Sequence, residues 1–126
     1  MLSLYPGVRI FISTEPVDLR KGFDGLSAIV EHEWSADPFS GDLFVFSNRR
    51  RTLLKLLYWD TDGYAIWYKR LERGTFRIPA ATEEGRIELT AAKLAMLLEG
   101  IDFRATRKRT RYRHRHPETI PKKPVA

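Results

Sequence analysis

Leu43 to Leu71 reads LFVFSNRRRTLLKLLYWDTDGYAIWYKRL. Within it, Leu43 to Ser47, Leu53 to Trp59 and Tyr64 to Leu71 are three strand-prone runs separated by short polar connections. In the Asp60-Thr61-Asp62-Gly63 connection, glycine can supply the positive φ of a tight hairpin, so an antiparallel meander is expected. Side chains alternate between the faces of a strand. Leu54, Leu56 and Tyr58 therefore share one face of the second run, and Leu53, Lys55, Leu57 and Trp59 the other. In the third run, Tyr64, Ile66, Tyr68 and Arg70 oppose Ala65, Trp67, Lys69 and Leu71. Both faces carry apolar groups, so helices are expected to cover one face and part of the other.

Working outward, Val8 to Ser13 (VRIFIS) follows a Pro6-Gly7 turn and reads as a strand. Leu19, Phe23, Leu26, Val30 and Trp34 recur at helical spacing, with Asp18 as the expected N-cap. Gly22 and Gly25 fall in the first turns of that helix, where close packing against the sheet would account for them. Asp37-Pro38 and Ser40-Gly41-Asp42 then turn the chain. Thr75 to Ile78 is expected to add a short edge strand closed by Pro79. A last helix is expected to start at an N-cap, Thr90, carry Ala91, Leu94, Leu98 and Ile101 on one stripe, and stop at a left-handed Gly100. The fold class is thus α+β: a mostly antiparallel sheet packed by two helices.

Charge divides the chain in two. Residues 104 to 126 hold nine Lys or Arg against one acid, Glu118, a net of +8, whereas residues 1 to 103 hold 13 basic and 15 acidic groups, a net of −2. The 104–126 stretch has few apolar residues, and Pro117, Pro121 and Pro124 oppose a helix, so it is expected to be disordered when free. One domain over 1–103 and a basic tail follow. With 126 residues there is little room for a second domain. The chain has no cysteine, which excludes disulfide scaffolds, thiolate zinc sites and cysteine nucleophiles. No apolar run reaches the roughly 18 residues of a membrane span, and no secretory signal pattern opens the chain. The expected setting is the cytoplasm, with no membrane partner.

Catalytic patterns are weak. Asp60, Asp62 and Glu72 could in principle gather a divalent cation, which would make a metal-dependent nuclease, but Asp and Gly at a hairpin are expected for conformational reasons. There is no Gly-x-Ser-x-Gly elbow, phosphate loop or dinucleotide fingerprint. His32 lacks an evident partner and is expected on the exposed face of its helix. His114 and His116 sit among arginines that repel a cation. No catalytic residue, metal or cofactor is therefore assigned.

Polyanion binding has more support. Arg49, Arg50 and Arg51 stand consecutively between two strands, where fork-shaped donors can grip phosphates. Lys69 and Arg70 follow in the third run, interleaved with Tyr58, Trp59, Tyr64, Trp67 and Tyr68, most of which the small core needs. Arg107, Lys108, Arg109, Arg111, Arg113 and Arg115 in the tail suit phosphate neutralisation without base reading.

Several motifs occur together, in order, over about the first 103 residues: DLRKGFDGL from Asp18, DPFSGDLFVFSNRRR from Asp37, KLLYWDTDG from Lys55, WYKRLERG from Trp67, FRIP from Phe76 and LAMLLEGID from Leu94. In these the chain resembles the TnpB accessory proteins of the IS66 family of bacterial insertion sequences, which are unrelated to the RNA-guided nucleases of the same name. The resemblance implies a small protein required for transposition beside a separate, larger transposase, with no catalytic set to transfer. The expected role is a non-catalytic DNA-binding or assembly factor that contacts element ends and the transposase, and that is nucleoid-associated when bound. The alternative is a protein-interaction subunit with no direct DNA contact.

Overall fold

The computed structural model describes residues 4–102 and 107–108. Strands β1 (Ile10–Ser13), β2 (Leu43–Ser47), β3 (Leu53–Asp60), β4 (Gly63–Arg70) and β5 (Arg86–Leu89) form one sheet in the order β4-β3-β2-β1-β5. Helices α1 (Phe23–Ala28) and α2 (Ala91–Glu99) lie on opposite faces, and a small antiparallel pair, β6 (Ile101–Asp102) with β7 (Arg107–Lys108), follows α2. The fold is α+β.

The meander forms as its alternation predicts. Phe44 faces Leu57 and Val45 faces Leu56 across β2 and β3, and β3 pairs with β4 from Leu53↔Arg70 to Asp60↔Gly63. Leu54 and Leu56 join Val45, Ile12 and Leu97 in the core under α2, while Phe44, Phe46 and Leu57 join Leu26, Val30 and Trp34 under α1. Truncating a fully buried ring such as Phe46 would cost about 3–5 kcal/mol, because the cavity could not fully collapse.

One pairing is parallel. β1 runs alongside β2 with Ile10↔Leu43 in register, and this requires the crossover that α1 supplies. β1 also pairs antiparallel with β5 (Ile10↔Leu89), a strand whose four residues, RIEL, escaped the sequence reading. The expected edge strand at Thr75 to Ile78 does not form. Phe76 and Ile78 are buried, but the segment is extended coil whose Phe76 N–H donates to the Arg51 carbonyl at 2.7 Å instead of to a neighbouring strand.

The first helix also starts later than expected. Asp18 does not cap it: its carboxylate accepts from the Arg20 N–H at 3.0 Å and from the Arg20 guanidinium at 2.7 Å. That local turn delays the helix to Phe23, with Gly22 at its cap position. Nor do the glycines pack on the sheet. A Cβ at Gly22 would meet nothing, and one at Gly25 would meet the Lys21 side chain at 2.9 Å. After Ala28 the helix widens into a π-helical turn, Ile29–Glu33, closed by Trp34 N–H to Ile29 O at 3.1 Å. His32 is exposed on it, as expected, 3.8 Å from Glu31.

At the β3–β4 hairpin the positive φ belongs to Thr61 (61°), while Gly63 pairs within the strand. α2 follows its cap signals closely, but it ends at Glu99, and Ile101, expected on its stripe, begins β6 instead. The Thr90 hydroxyl accepts from Lys93 N–H at 3.1 Å, and Gly100 closes the helix at φ 88°. No helix among the described residues is long and apolar enough to cross a membrane.

Candidate nucleic-acid interface

The connection between β2 and β3 is built around Asn48. Its side-chain carbonyl accepts from the N–H groups of Thr52 (2.9 Å) and Leu53 (3.1 Å), and its amide donates to the Thr52 hydroxyl at 3.2 Å. The Arg51 N–H closes the turn on the Asn48 carbonyl at 3.0 Å, with Arg51 itself left-handed at φ 61°. This geometry separates the three arginines. Arg49 and Arg50 stand exposed at the tip with no carboxylate partner among the described residues. Arg51 turns inward, half-buried, and its guanidinium donates to the Ile78 carbonyl at 3.4 Å. It fastens the 71–79 segment to the loop.

Lys69 and Arg70 part company in the same way. Adjacent strand residues face opposite sides of a sheet. Lys69 lies on the α2 side, half-buried, with its ammonium donating to the Leu98 carbonyl at 3.1 Å. There it meets the negative end of the helix dipole. Arg70 lies on the α1 side, exposed, paired with Glu72 at 3.0 Å. It sits beside the arginine loop, because Leu53 is its register partner and Leu71 N–H donates to Thr52 O at 2.8 Å.

One end of the sheet therefore collects Arg49, Arg50, Arg70, Arg73 and Arg77, all exposed. The last turn of α2 lies at this end too, since Lys69 ties it down, and β6 follows at once. Arg107 and Lys108 pair through their backbone with Asp102 and Ile101, so regular structure extends past residue 103. Arg109, Arg111, Arg113 and Arg115, like His114 and His116, lie outside the described residues.

Glu72 is the carboxylate paired at this cationic end, on Arg70. Asp60 and Asp62 occupy the hairpin at the opposite end of β4, about 23 Å from the Arg70 end at ~3.3 Å per residue, so they do not converge with Glu72. No group of three metal-ligating side chains occurs among the described residues. Glu15, Asp18, Glu33, Glu83 and Glu84 line a cavity of about 420 Å³ by β1 and β5, toward the opposite edge of the sheet from β4. Arg20 holds the Asp18 carboxyl of this cavity well below the usual range through a hydrogen bond, and elsewhere on the sheet a hydrogen bond from Arg9 lowers that of Glu88.

The aromatic residues also divide. Tyr58 and Trp67 pack against the α2-side core. On the α1 side Tyr64 stacks with Phe23 (6.4 Å) and Phe39 (5.6 Å), and Trp59 meets both Phe39 and Tyr64 edge-on. Tyr68 is 62% exposed, with the Lys55 ammonium 5.7 Å from its ring. Sequence reasoning missed Phe23 and Phe39 as surface groups. Phe23 shares the helical spacing of the buried Leu26, Val30 and Trp34, which hides its exposure. It also missed Lys55, which donates to the carbonyls of Leu19 (2.7 Å) and Lys21 (3.1 Å); its cation among apolar neighbours on one strand face was the available signal.

A family model described as IS66 Orf2 like protein matches residues 8–108. Two uncharacterized proteins of Sinorhizobium fredii are similar: y4jC, 38% identical over 97 residues (77% of this chain, 82% of that protein), and y4hO, 41% identical over 104 residues (82% and 90%). No solved structure matches. The family match runs through Lys108, six residues beyond Asp102, where the last sequence motif ends.

Proposed function

Since the chain belongs to the IS66 Orf2-like family, the accessory proteins of IS66 insertion sequences, we propose that it is a non-catalytic DNA-binding factor that assembles element ends with a separate transposase. The observation that carries this reading is the Asn48-built loop. It holds Arg49 and Arg50 out to solvent with no carboxylate partner among the described residues, at the end of the sheet where α2 ends and β6 follows. Arginine forks at a fixed position suit phosphate oxygens. The segment beyond adds charge without base reading, and Arg70 and Arg73 extend the surface along the sheet end. Arg51 and Lys69 act mainly as the struts that fix this surface.

A gel shift on element-end DNA with the full-length protein tests the reading. Binding at low salt is expected, with the Arg49→Ala, Arg50→Ala pair weakening it about tenfold; six phosphate contacts would give a slope of about −5 in log affinity against log salt. Absence of binding at low salt would overturn it.

A further inference from the structure

Three of the five exposed large hydrophobic residues among those described, Phe23 (48%), Phe39 (55%) and Tyr68 (62%), lie on the α1 side of the sheet along β3 and β4. Burial would favour each of them, and each stays open to water. β4 is an edge strand. Its α1-side residues Tyr64, Ile66, Tyr68 and Arg70 form one row, in which the two tyrosines stand about 13 Å apart at ~3.3 Å per residue.

The charges beside this row distinguish nucleic acid from protein as its occupant. The Lys55 ammonium, next to Tyr68, hydrogen-bonds only neutral carbonyls, so no carboxylate cancels its charge in those contacts. Lys21 is exposed nearby, and the row runs past Arg70, which Glu72 pairs, to Arg49 and Arg50, which have no carboxylate partner among the described residues. At its other end Asp60 and Asp62 repel phosphates and limit the track. Open aromatic faces bordered by cations are what unpaired bases on a phosphate backbone require, whereas duplex DNA keeps its base faces stacked inside.

We infer that the α1-side face of β4, centred on Tyr68 and continued by Phe23, is a stacking platform for unpaired bases, so that the preferred ligand is single-stranded DNA. This rests on the DNA-binding reading above. Arg49 and Arg50 grip the backbone, and Tyr68 takes a base.

The test is fluorescence anisotropy of full-length protein with a labelled single-stranded oligonucleotide of about 20 nucleotides and with its duplex. The single strand is expected to bind more tightly. Tyr68→Ala should weaken single-strand binding about 5- to 100-fold and duplex binding by less than twofold, in line with one lost base stack. Tyr5→Ala, which removes an exposed ring at the opposite end of the sheet, should change neither. If wild-type protein binds both DNAs equally and Tyr68→Ala changes nothing, the platform is refuted and the phosphate reading stands. If neither DNA binds, both fail. If Tyr68→Ala and Phe23→Ala leave DNA affinity intact but abolish capture of the purified transposase, the face is a protein interface and the inference is wrong.

Discussion

The Lys69 ammonium donates to the carbonyl of Leu98 at 3.1 Å, joining the edge strand of the sheet to the last turn of α2. The contact closes the C-terminal end of the helix with a cation. Lys69→Met is therefore expected to destabilise the protein by about 1–2 kcal/mol, because a charge-assisted hydrogen bond at a half-buried site is lost. Its effect on DNA affinity should be smaller than that of Arg49→Ala. Urea denaturation alongside a gel shift separates the two.

Asn48 supports the arginine loop without facing the ligand. Asn48→Ala would strand two backbone N–H groups at a half-buried turn and should cost about 2–3 kcal/mol. DNA affinity should fall with it, since Arg49 and Arg50 would lose their fixed display. Arg51→Ala is expected to cost about 1 kcal/mol through the contact to Ile78, whereas Arg49→Ala and Arg50→Ala should leave the unfolding free energy from urea denaturation within about 0.5 kcal/mol of wild type.

Thr61 carries a left-handed φ of 61° at the hairpin tip, a conformation that a β-branched residue adopts at a cost. Thr61→Gly should relieve about 1–2 kcal/mol of strain while losing about 0.5–1 kcal/mol to unfolded-state entropy. A small net gain is the expected outcome, visible as a rise in Tm of a few degrees.

Acid should weaken the fold through the Asp18–Arg20 and Arg9–Glu88 pairs. Both carboxyls are held below their ordinary range in the folded state by hydrogen bonds from arginine. Depressed folded values mean that the unfolded chain binds protons first, so the contribution is present above pH of about 4 and disappears as pH falls below it. Both pairs are exposed, so the loss should be modest and should shrink in high salt. Thermal melts from pH 6 to pH 3, with Glu88→Gln as the comparison, should show a smaller acid-dependent drop for the variant.

The meander was legible because its runs alternate and its turns are polar, and α2 because Thr90 and Gly100 mark its ends. The start of α1 was not: Asp18 has the chemistry of a cap, yet Arg20 two residues on captures its carboxylate. β5 is short and half charged, so its pairing with β1 depends on a neighbour distant in sequence. For the interface, three consecutive arginines gave no hint that Arg51 turns inward, which follows from the left-handed backbone of the Asn48 turn. The opposite facing of Lys69 and Arg70 was already implicit in strand periodicity.

β1 lies between β2 and β5, so Ile10 has one partner at Leu43 and another at Leu89. During synthesis the ribosome must therefore deliver residue 89 before the amino-terminal strand gains its second neighbour. Loop closure of that length is slow to assemble, and until it is complete the β1 edge stays open to pairing with other nascent chains.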